Sequence, residues 1–284
     1  MYLYLNGNIV RKEEAVISPF DHGYMYGLGL FETFRMYDGH PFLLDDHLQR
    51  LQHGLGVMNI NLEINREDIH SILTELLAAN DLQDAYVRLN ISAGVGDLGL
   101  QVGTYEEPTM MILMKKLPNE GVFPAKQGKI LRTVRNTPES EIRLKSHHYL
   151  NNILAKQEIG KQSHTEGIFL TAEGYVAEGI VSNIFWVKNG VLYTPAVETG
   201  ILDGITRKWV MALAKKRGIK IEEGFYPIEK LLDADEAFVT NSIQEIVPLN
   251  GIEDVRFLNE RVVPSLINDY KKHTHNLERI NELG

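Results

Sequence analysis

The sequence contains no cysteine among its 284 residues. This absence excludes disulfide bonds, thiolate catalysis and cysteine-ligated zinc. The 29 lysine and arginine residues are outnumbered by 38 aspartate and glutamate residues, and no basic run that would favour binding to a nucleic-acid duplex is present. No apolar run approaches the ~20 residues that span a bilayer, and no signal-peptide pattern follows Met1. We therefore expect a cytoplasmic protein that binds neither nucleic acid nor membrane.

Length and residue patterning predict an α+β protein with two subdomains. Residues 1–115 alternate strand-like and helix-like patterns and form the smaller predicted subdomain. Residues 116–126 combine glycine and proline without periodicity, which predicts a linker, and residues 127–284 form the larger subdomain. The tail from Val263 to Gly284 is expected to be a polar helix. Tight hairpin turns are predicted at the following pairs: Asn6-Gly7, Asp38-Gly39 and Asn189-Gly190.

Three familiar motifs are incomplete or absent. Gly94, Gly96 and Gly99 match GxGxxG, but another strand pattern follows where a dinucleotide site needs a helix, so a glycine-rich turn between paired strands is expected. The adjacent His147 and His148 lack the i, i+4 spacing of a zinc helix, so we expect surface histidines and no metal. The sequence has no GxSxG elbow, which argues against a Ser-His-Asp hydrolase.

Two charged residues occupy positions that could carry cofactor chemistry. Lys145, in IRLKSHHYLNN, lies where a loop or strand passes into a predicted helix, although a lysine at such a position is usually solvated. Glu178, in YVAEGIVSNIFWV, lies among apolar residues just before a predicted strand. A carboxylate buried there without a partner would be costly, whereas an exposed turn glutamate would be ordinary.

Three further segments could hold an anion. In TGILDGITRKWV a glycine-containing turn enters a predicted helix, so the amides of Ile205 and Thr206 would point outward at its first turn. In FVTNSIQEI a strand ends in Asn241 and Ser242, whose side chains can donate hydrogen bonds. In DDHLQRLQ, Arg50 projects away from the apolar stripe of the helix. Each feature alone is more often a cap, a turn or a solvated arginine.

Taken together, these residues meet three demands of one cofactor, pyridoxal 5'-phosphate (PLP). Lys145 offers the amine for a Schiff base, and Glu178 offers a partner for the pyridine nitrogen. The helix start, the polar turn and Arg50 offer donors for the phosphate.

The order and wording of six strings resemble the class IV aminotransferases of PLP fold type IV nearly end to end. These strings are LNG near the start, HLQRL, RLKS, AEGIVSNIF, GILDGITR and AFVTNSIQEIVPL. The resemblance implies a two-subdomain fold like that of D-amino-acid aminotransferase, with the cofactor at the subdomain interface, and a homodimer. It implies PLP on Lys145, which also shuttles protons, with Glu178 at the pyridine nitrogen. The remaining implied cofactor residues are Arg50, Ile205, Thr206 and Ser242 at the phosphate and Tyr149 at the ring hydroxyl.

Within the family, RLKSHHYLNNILAKQEI and TNSIQEIVPL are most similar to the 4-amino-4-deoxychorismate lyases of Gram-positive bacteria. Such an enzyme would release 4-aminobenzoate, a folate precursor, and pyruvate. VGDLGLQV lacks the Arg-x-His pair of D-amino-acid aminotransferases, which argues against that activity. The alternatives are a branched-chain or D-amino-acid aminotransferase that uses 2-oxoglutarate, and a non-enzymatic PLP-binding protein. The substrate carboxylates call for cationic or amide donors, and the candidates are Arg88, Arg143 and Asn241, with Thr33 from the ETFR strand.

Overall fold

The computed structural model describes residues 1–117 and 123–283. The chain divides into a first unit, Met1–Glu120 with Leu144–His148 and Thr274–Arg279, and a second unit, Gly121–Arg143 with Tyr149–His273 and Ile280–Gly284. Of the linker predicted at 116–126, residues 118–122 lie outside the described residues. The subdomain boundaries that the sequence predicts therefore stay a prediction.

Six strands in the described part of the first unit form one sheet, in the order β2-β1-β6-β5-β3-β4. Every neighbouring pair is antiparallel. The strands are β1 Tyr2–Leu5, β2 Asn8–Arg11, β3 Gly29–Tyr37, β4 His40–Pro41, β5 Ala85–Ser92 and β6 Thr109–Lys115. The long pairing of β3 with β5, from Gly29↔Ser92 to Met36↔Ala85, fixes which side chains of the two strands lie side by side.

The described helices of the first unit are α1 His22–Tyr26, α2 Leu44–Val57 and α3 Arg66–Asn80. Helices α2 and α3 cover one face of this sheet. The helical spacing of Leu48, Leu51 and Leu55 puts all three on one side of α2, and they are buried against alternate residues of β3 and β5 such as Phe34 and Val87. The opposite side chains of the same strands, including Phe31, point to the other face of the sheet.

The predicted hairpin turns are confirmed. Residue pairs Asn6-Gly7, Asp38-Gly39 and Asn189-Gly190 each join two antiparallel strands. Both residues of every pair have positive φ, for example 47° at Asp38 and 81° at Gly39. Asparagine, aspartate and glycine tolerate this left-handed region, which explains why these short strings were predictive.

Nine strands in the described part of the second unit form the larger sheet. Eight follow the order β12-β11-β10-β13-β14-β7-β8-β9, and β15 pairs with β14. The strands are β7 Lys126–Ile130, β8 Thr165–Leu170, β9 Val176–Gly179, β10 Asn183–Lys188, β11 Val191–Pro195, β12 Ile221–Gly224, β13 Glu236–Asn241, β14 Glu245–Ile252 and β15 Val255–Arg256. One face of the sheet buries an apolar cluster that includes Trp186, Val239 and Val247.

The helices of the second unit are α4 Leu150–Ile159, α5 Ile205–Lys216, α6 Ile228–Leu232 and α7 Val262–His273, with 3₁₀ turns at Val197–Thr199 and Ile280–Leu283. The prediction of one polar helix from Val263 to Gly284 is wrong. The helix ends at His273, and its buried Val263, Leu266 and Tyr270 make it amphipathic. No helix within residues 1–117 and 123–283 is long and apolar enough to cross a membrane.

Candidate active site

Lys145 lies in an extended segment that pairs with the start of β3. Phe31 N donates to Lys145 O over 2.9 Å, and His147 N donates to Gly29 O over 2.9 Å. A Cβ at Gly29 would lie 2.5 Å from the His147 ring, so the absence of a side chain permits this close approach. Backbone hydrogen bonds therefore fix the position of the lysine within the first unit, five residues before α4 begins.

Three side chains lie around the ring of Phe31. Lys145 Nζ lies 4.6 Å from the ring centroid, and the guanidinium carbon of Arg88 lies 3.7 Å from it. The His147 ring stacks on Phe31 at 6.3 Å. Arg88 also donates through Nε to Asn90 Oδ1 over 3.0 Å. This arrangement concentrates positive charge on the sheet face opposite α2 and α3, which favours the binding of an anionic group.

The prediction of surface histidines is wrong for His147, whose ring is half-buried. Burial, and next the charge of Arg88, lower the pKa of His147. The neutral ring can therefore pack beside a cation. His148 is exposed, as predicted. The glycine-rich segment from Gly94 to Gly99 joins the paired strands β5 and β6, which confirms the turn and excludes the dinucleotide motif.

Arg50 forms a bidentate ion pair with a buried carboxylate that the sequence analysis did not name. Arg50 Nε and Nη2 donate to Glu32 Oε1 and Oε2, each over 2.7 Å. His47, one turn earlier on α2, places Nδ1 2.7 Å from Glu32 Oε2. Glu32 and His47 are almost fully buried. Glu32, His47 and Arg50 thus form a triad. It holds the Arg50 guanidinium in one orientation, by a bidentate geometry that lysine could not reproduce.

The charges in this triad are strongly coupled. Burial raises the pKa of Glu32, but Arg50 and then His47 outweigh burial and lower it to about 2. Burial lowers the pKa of His47, and Glu32 opposes that shift. Arg50 and Lys145 add to the lowering because their positive charges lie near the imidazole. Glu32 is therefore a carboxylate at neutral pH.

Glu178 lies on β9 and is buried, with about 4% of its surface exposed. Its Oε1 accepts from Arg135 Nε over 2.7 Å, and Arg143 Nε lies 3.9 Å from the same oxygen. Its Oε2 accepts from Leu202 N over 3.1 Å and from Asn183 Nδ2 over 3.5 Å. The protein itself therefore supplies partners for this buried acid, which the sequence analysis had assigned to a cofactor nitrogen.

Two hydroxyl groups meet at the start of α5. Ile205 is the first residue of this helix, and Gly204 precedes it as the N-cap. Thr206 Oγ1 lies 3.2 Å from Ser242 Oγ, which belongs to the turn between β13 and β14. The first N–H groups of a helix have no partner within the helix, so this end combines backbone donors, a positive dipole end and two hydroxyls. That set fits a phosphate group.

Asn241 closes the turn that carries Ser242. Its Oδ1 accepts from Ile243 N over 2.9 Å and from Gln244 N over 2.7 Å. Its Nδ2 donates to Gln244 Oε1 over 3.4 Å. The asparagine thus shapes the turn, as glycine could not and as serine or threonine would do more weakly.

The structure places the remaining predicted residues as follows. Thr33 lies directly opposite Arg88 in the pairing of β3 with β5. Arg143 donates through Nε to Gly200 O, and burial, followed by the charge of Arg135, lowers its pKa to about 10. Tyr149 is the residue before α4. The first unit thus holds Thr33, Arg50, Arg88 and Lys145, and the second unit holds Arg143, Tyr149, Glu178, Ile205, Thr206, Asn241 and Ser242.

The sequence analysis missed Glu32, His47 and Arg135. Glu32 carried a usable signal, since it is charged and stands in the otherwise apolar alternate register of β3, with Leu30 and Phe34. Arg135 carried none, because its partner Glu178 lies 43 residues away in the chain.

These features are those of a known family of enzymes. The family model described as amino-transferase class IV matches residues 29–252. The chain belongs to this family, which confirms the resemblance predicted from the sequence.

Individual relatives match along nearly the whole chain. The aminodeoxychorismate lyase of Bacillus subtilis (strain 168) is 48% identical, over 99% of this chain and 97% of its own length. A branched-chain aminotransferase from Thermoproteus uzoniensis, solved with norvaline, has a TM-score of 0.88 at 29% identity and covers 96% of this chain and 94% of that chain. A second branched-chain aminotransferase, from T.th. and complexed with N-(5'-phosphopyridoxyl)-L-glutamate, has a TM-score of 0.86 at 26% identity, over 98% and 95%. The predicted α+β fold class is thereby confirmed.

Proposed function

We propose that this chain is a PLP-dependent lyase that converts 4-amino-4-deoxychorismate into 4-aminobenzoate and pyruvate. The observation that carries the proposal is the likeness, along nearly the whole chain, to the aminodeoxychorismate lyase of Bacillus subtilis. Family membership supports PLP as the cofactor, and so does a structural relative that carries a phosphopyridoxyl compound.

The residues present fit PLP at each of its polar ends. Thr206 and Ser242, 3.2 Å apart at the start of α5, supply hydroxyl and backbone donors for a phosphate. Glu178 supplies a buried carboxylate for the ring nitrogen. Lys145 supplies the amine that holds the cofactor covalently. The other proposed ligands are Arg50 and Ile205 at the phosphate and Tyr149 at the ring hydroxyl.

When bound, PLP supplies an electron sink at the carbon that carries the substrate amine. In our proposal the Lys145 amine would remove the proton from this ring carbon. The same lysine then returns a proton to the methylene of the departing pyruvate. Loss of the enolpyruvyl group leaves an aromatic ring, which makes the elimination strongly downhill. No keto acid is needed as a co-substrate.

The proposed carboxylate ligands of the substrate are Arg88, Thr33, Arg143 and Asn241. Arg88 is the best supported, since its guanidinium and Lys145 Nζ both lie over the Phe31 ring and Arg88 is half-buried. Thr33 is its cross-strand neighbour. Arg143 is held by Gly200 and lies near Glu178, and Asn241 is held in its turn, so both proposals are weaker.

The decisive assay supplies aminodeoxychorismate to the PLP-loaded enzyme without a keto acid. We expect stoichiometric 4-aminobenzoate and pyruvate, and loss of both products in Lys145→Ala. The Lys145→Ala variant should also lose the absorbance band of lysine-bound PLP and its sensitivity to borohydride. Absence of both products, together with efficient amino transfer to 2-oxoglutarate, would overturn the lyase proposal.

A branched-chain aminotransferase is the second candidate function. The observation that favours it is the structural likeness to the enzyme from Thermoproteus uzoniensis. An aminotransferase would need a second half-reaction with a keto acid, whereas the lyase would turn over without one. The same assay therefore separates the two activities.

We also propose that the chain forms a homodimer through the loop between β5 and β6. This loop exposes four apolar side chains, each more than half accessible: Val95, Leu98, Leu100 and Val102. Exposed apolar side chains that cluster on a surface are one mark of an interaction site. Leu100→Glu should shift the species observed by sedimentation from dimer to monomer, and an unchanged dimer would remove the loop from the interface.

The cytoplasmic location stays a prediction from the sequence.

A further inference from the structure

Arg135 joins two parts of the second unit through one buried guanidinium. Its side chain is about 6% exposed. Its Nε donates to Glu178 Oε1 on β9 over 2.7 Å, and its Nη1 donates to Asn151 Oδ1 in the first turn of α4 over 2.7 Å. Since a guanidinium is planar and rigid, these two bonds fix the distance between the strand and the helix.

Two consecutive asparagines complete the connection. Asn151 Nδ2 donates to Val134 O over 2.9 Å, next to Arg135 in the chain. Asn152, which is buried, donates through Nδ2 to Ile180 O, two residues after Glu178. Asparagine is a poor helix former, so two in the first turn of α4 cost helix propensity. Their outward hydrogen bonds offset that cost and bind the helix start to the segment that carries Glu178.

The second arginine near Glu178 does not make this connection. Arg143 lies 3.9 Å from the carboxylate, and its donors go to Gly200 O and to the backbone and side-chain oxygens of Asn136. It contributes positive charge to the cluster, but the short, directional bond to the carboxylate belongs to Arg135. The two contributions can therefore be separated. Both arginines place positive charge near Glu178, and Arg135 fixes the position of its carboxylate.

We propose that Arg135, with Asn151 and Asn152, is a positioning clamp that sets the spacing between Glu178 and Tyr149. The proposal rests on the proposed function, in which Glu178 faces the pyridine nitrogen and Tyr149 faces the ring hydroxyl. Those two groups belong to one rigid aromatic ring, so their protein partners must keep a fixed separation. Tyr149 immediately precedes α4, and the clamp ties the first turn of that helix to the segment of Glu178.

The test uses the full-length protein, freed of PLP and titrated with PLP while absorbance is recorded. In Arg135→Lys the positive charge stays near Glu178, but one ammonium cannot reproduce the rigid fork. In Asn151→Ala the Arg135–Glu178 pair stays, and the short bond from Arg135 to the first turn of α4 is removed. We expect both variants to bind PLP about tenfold or more weakly, as losses of outer partners of a ligand often do. Both should also shift the absorbance maximum of the lysine-bound cofactor.

Arg132→Gln is the matched control, because Arg132 precedes the clamp by three residues and its side chain is about 93% exposed. It should bind PLP like the wild type. Thermal melting of the cofactor-free variants shows whether each is folded, and Asn151→Ala keeps the test valid if Arg135→Lys does not fold. Wild-type affinity and wild-type absorbance in a folded clamp variant would overturn the inference. Failure of the wild type itself to take up PLP would instead overturn the proposed function.

Discussion

Replacing Glu32 with glutamine tests how strongly the triad with Arg50 and His47 is coupled to folding. The substitution keeps the shape of the side chain and removes its charge. The pKa of Glu32 falls from an ordinary 4.5 to about 2 in the folded protein. That change corresponds to about 3 kcal/mol in favour of the folded state at neutral pH. We expect Glu32→Gln to lose a stability of this order.

The pH dependence provides the sharper part of this test. A carboxyl whose pKa is lowered on folding stabilises the protein above its unfolded pKa, and the contribution disappears as pH falls through the folded value. The difference between wild type and Glu32→Gln should therefore be constant from about pH 7 to 5. It should shrink as pH falls from 4.5 towards 2, the range set by the two pKa values.

Urea unfolding followed by circular dichroism suits this measurement. Both tryptophans, Trp186 and Trp209, lie in the second unit, so tryptophan fluorescence would not report on the triad. Glu67→Gln is the control, because Glu67 is about 75% exposed and should cost little. A Glu32→Gln difference that stays constant down to the lowest pH at which the protein remains folded would refute the coupling.

Two further substitutions test packing and a buried charge. A Cβ at Gly94, where φ is +79°, would lie 1.8 Å from Glu107 O, whereas the space around Gly99 is open. Gly94→Ala should therefore have a melting temperature well below that of Gly99→Ala. Equal melting temperatures of the two variants would contradict this. Lys126→Met leaves the buried carboxylate of Glu166, 2.6 Å from Lys126 Nζ, without its cation. Lys126→Met should lower the free energy of unfolding in urea by about 3–5 kcal/mol. The double variant Lys126→Met/Glu166→Met should recover most of this loss. No recovery would contradict the ion-pair explanation.

Local sequence was sufficient for turns and for amphipathic helices. The hairpin at Asp38-Gly39 was predictable because two adjacent positive φ values require those residue types. Helix α2 was predictable because Leu48, Leu51 and Leu55 recur at helical spacing. Both signals act within a few residues of chain, so no tertiary information was needed.

The errors and omissions depend on contacts between distant residues. The C-terminal helix ends at His273 because the following segment returns to the first unit, where Leu43 N and His40 Nε2 bond to Leu277 O. No local pattern encodes that return. Arg135 was missed because its role comes from a partner 43 residues away. The sequence left open whether Glu178 is buried or exposed; it is buried, and its arginine partner was not foreseen.

Three buried ion pairs accompany the proposed cofactor ligands: Arg50–Glu32, Arg135–Glu178 and Lys126–Glu166. Buried pairs add little net stability compared with apolar residues of similar volume, so stability is a weak reason to keep them. Each pair holds a segment that carries a proposed ligand. Glu166 accepts from Ile180 N and Ser182 Oγ in the segment that follows Glu178, and Lys126 donates to Gln244 in the turn of Ser242. Such pairs fix orientation before the cofactor arrives, which reduces the ordering cost that binding would otherwise incur.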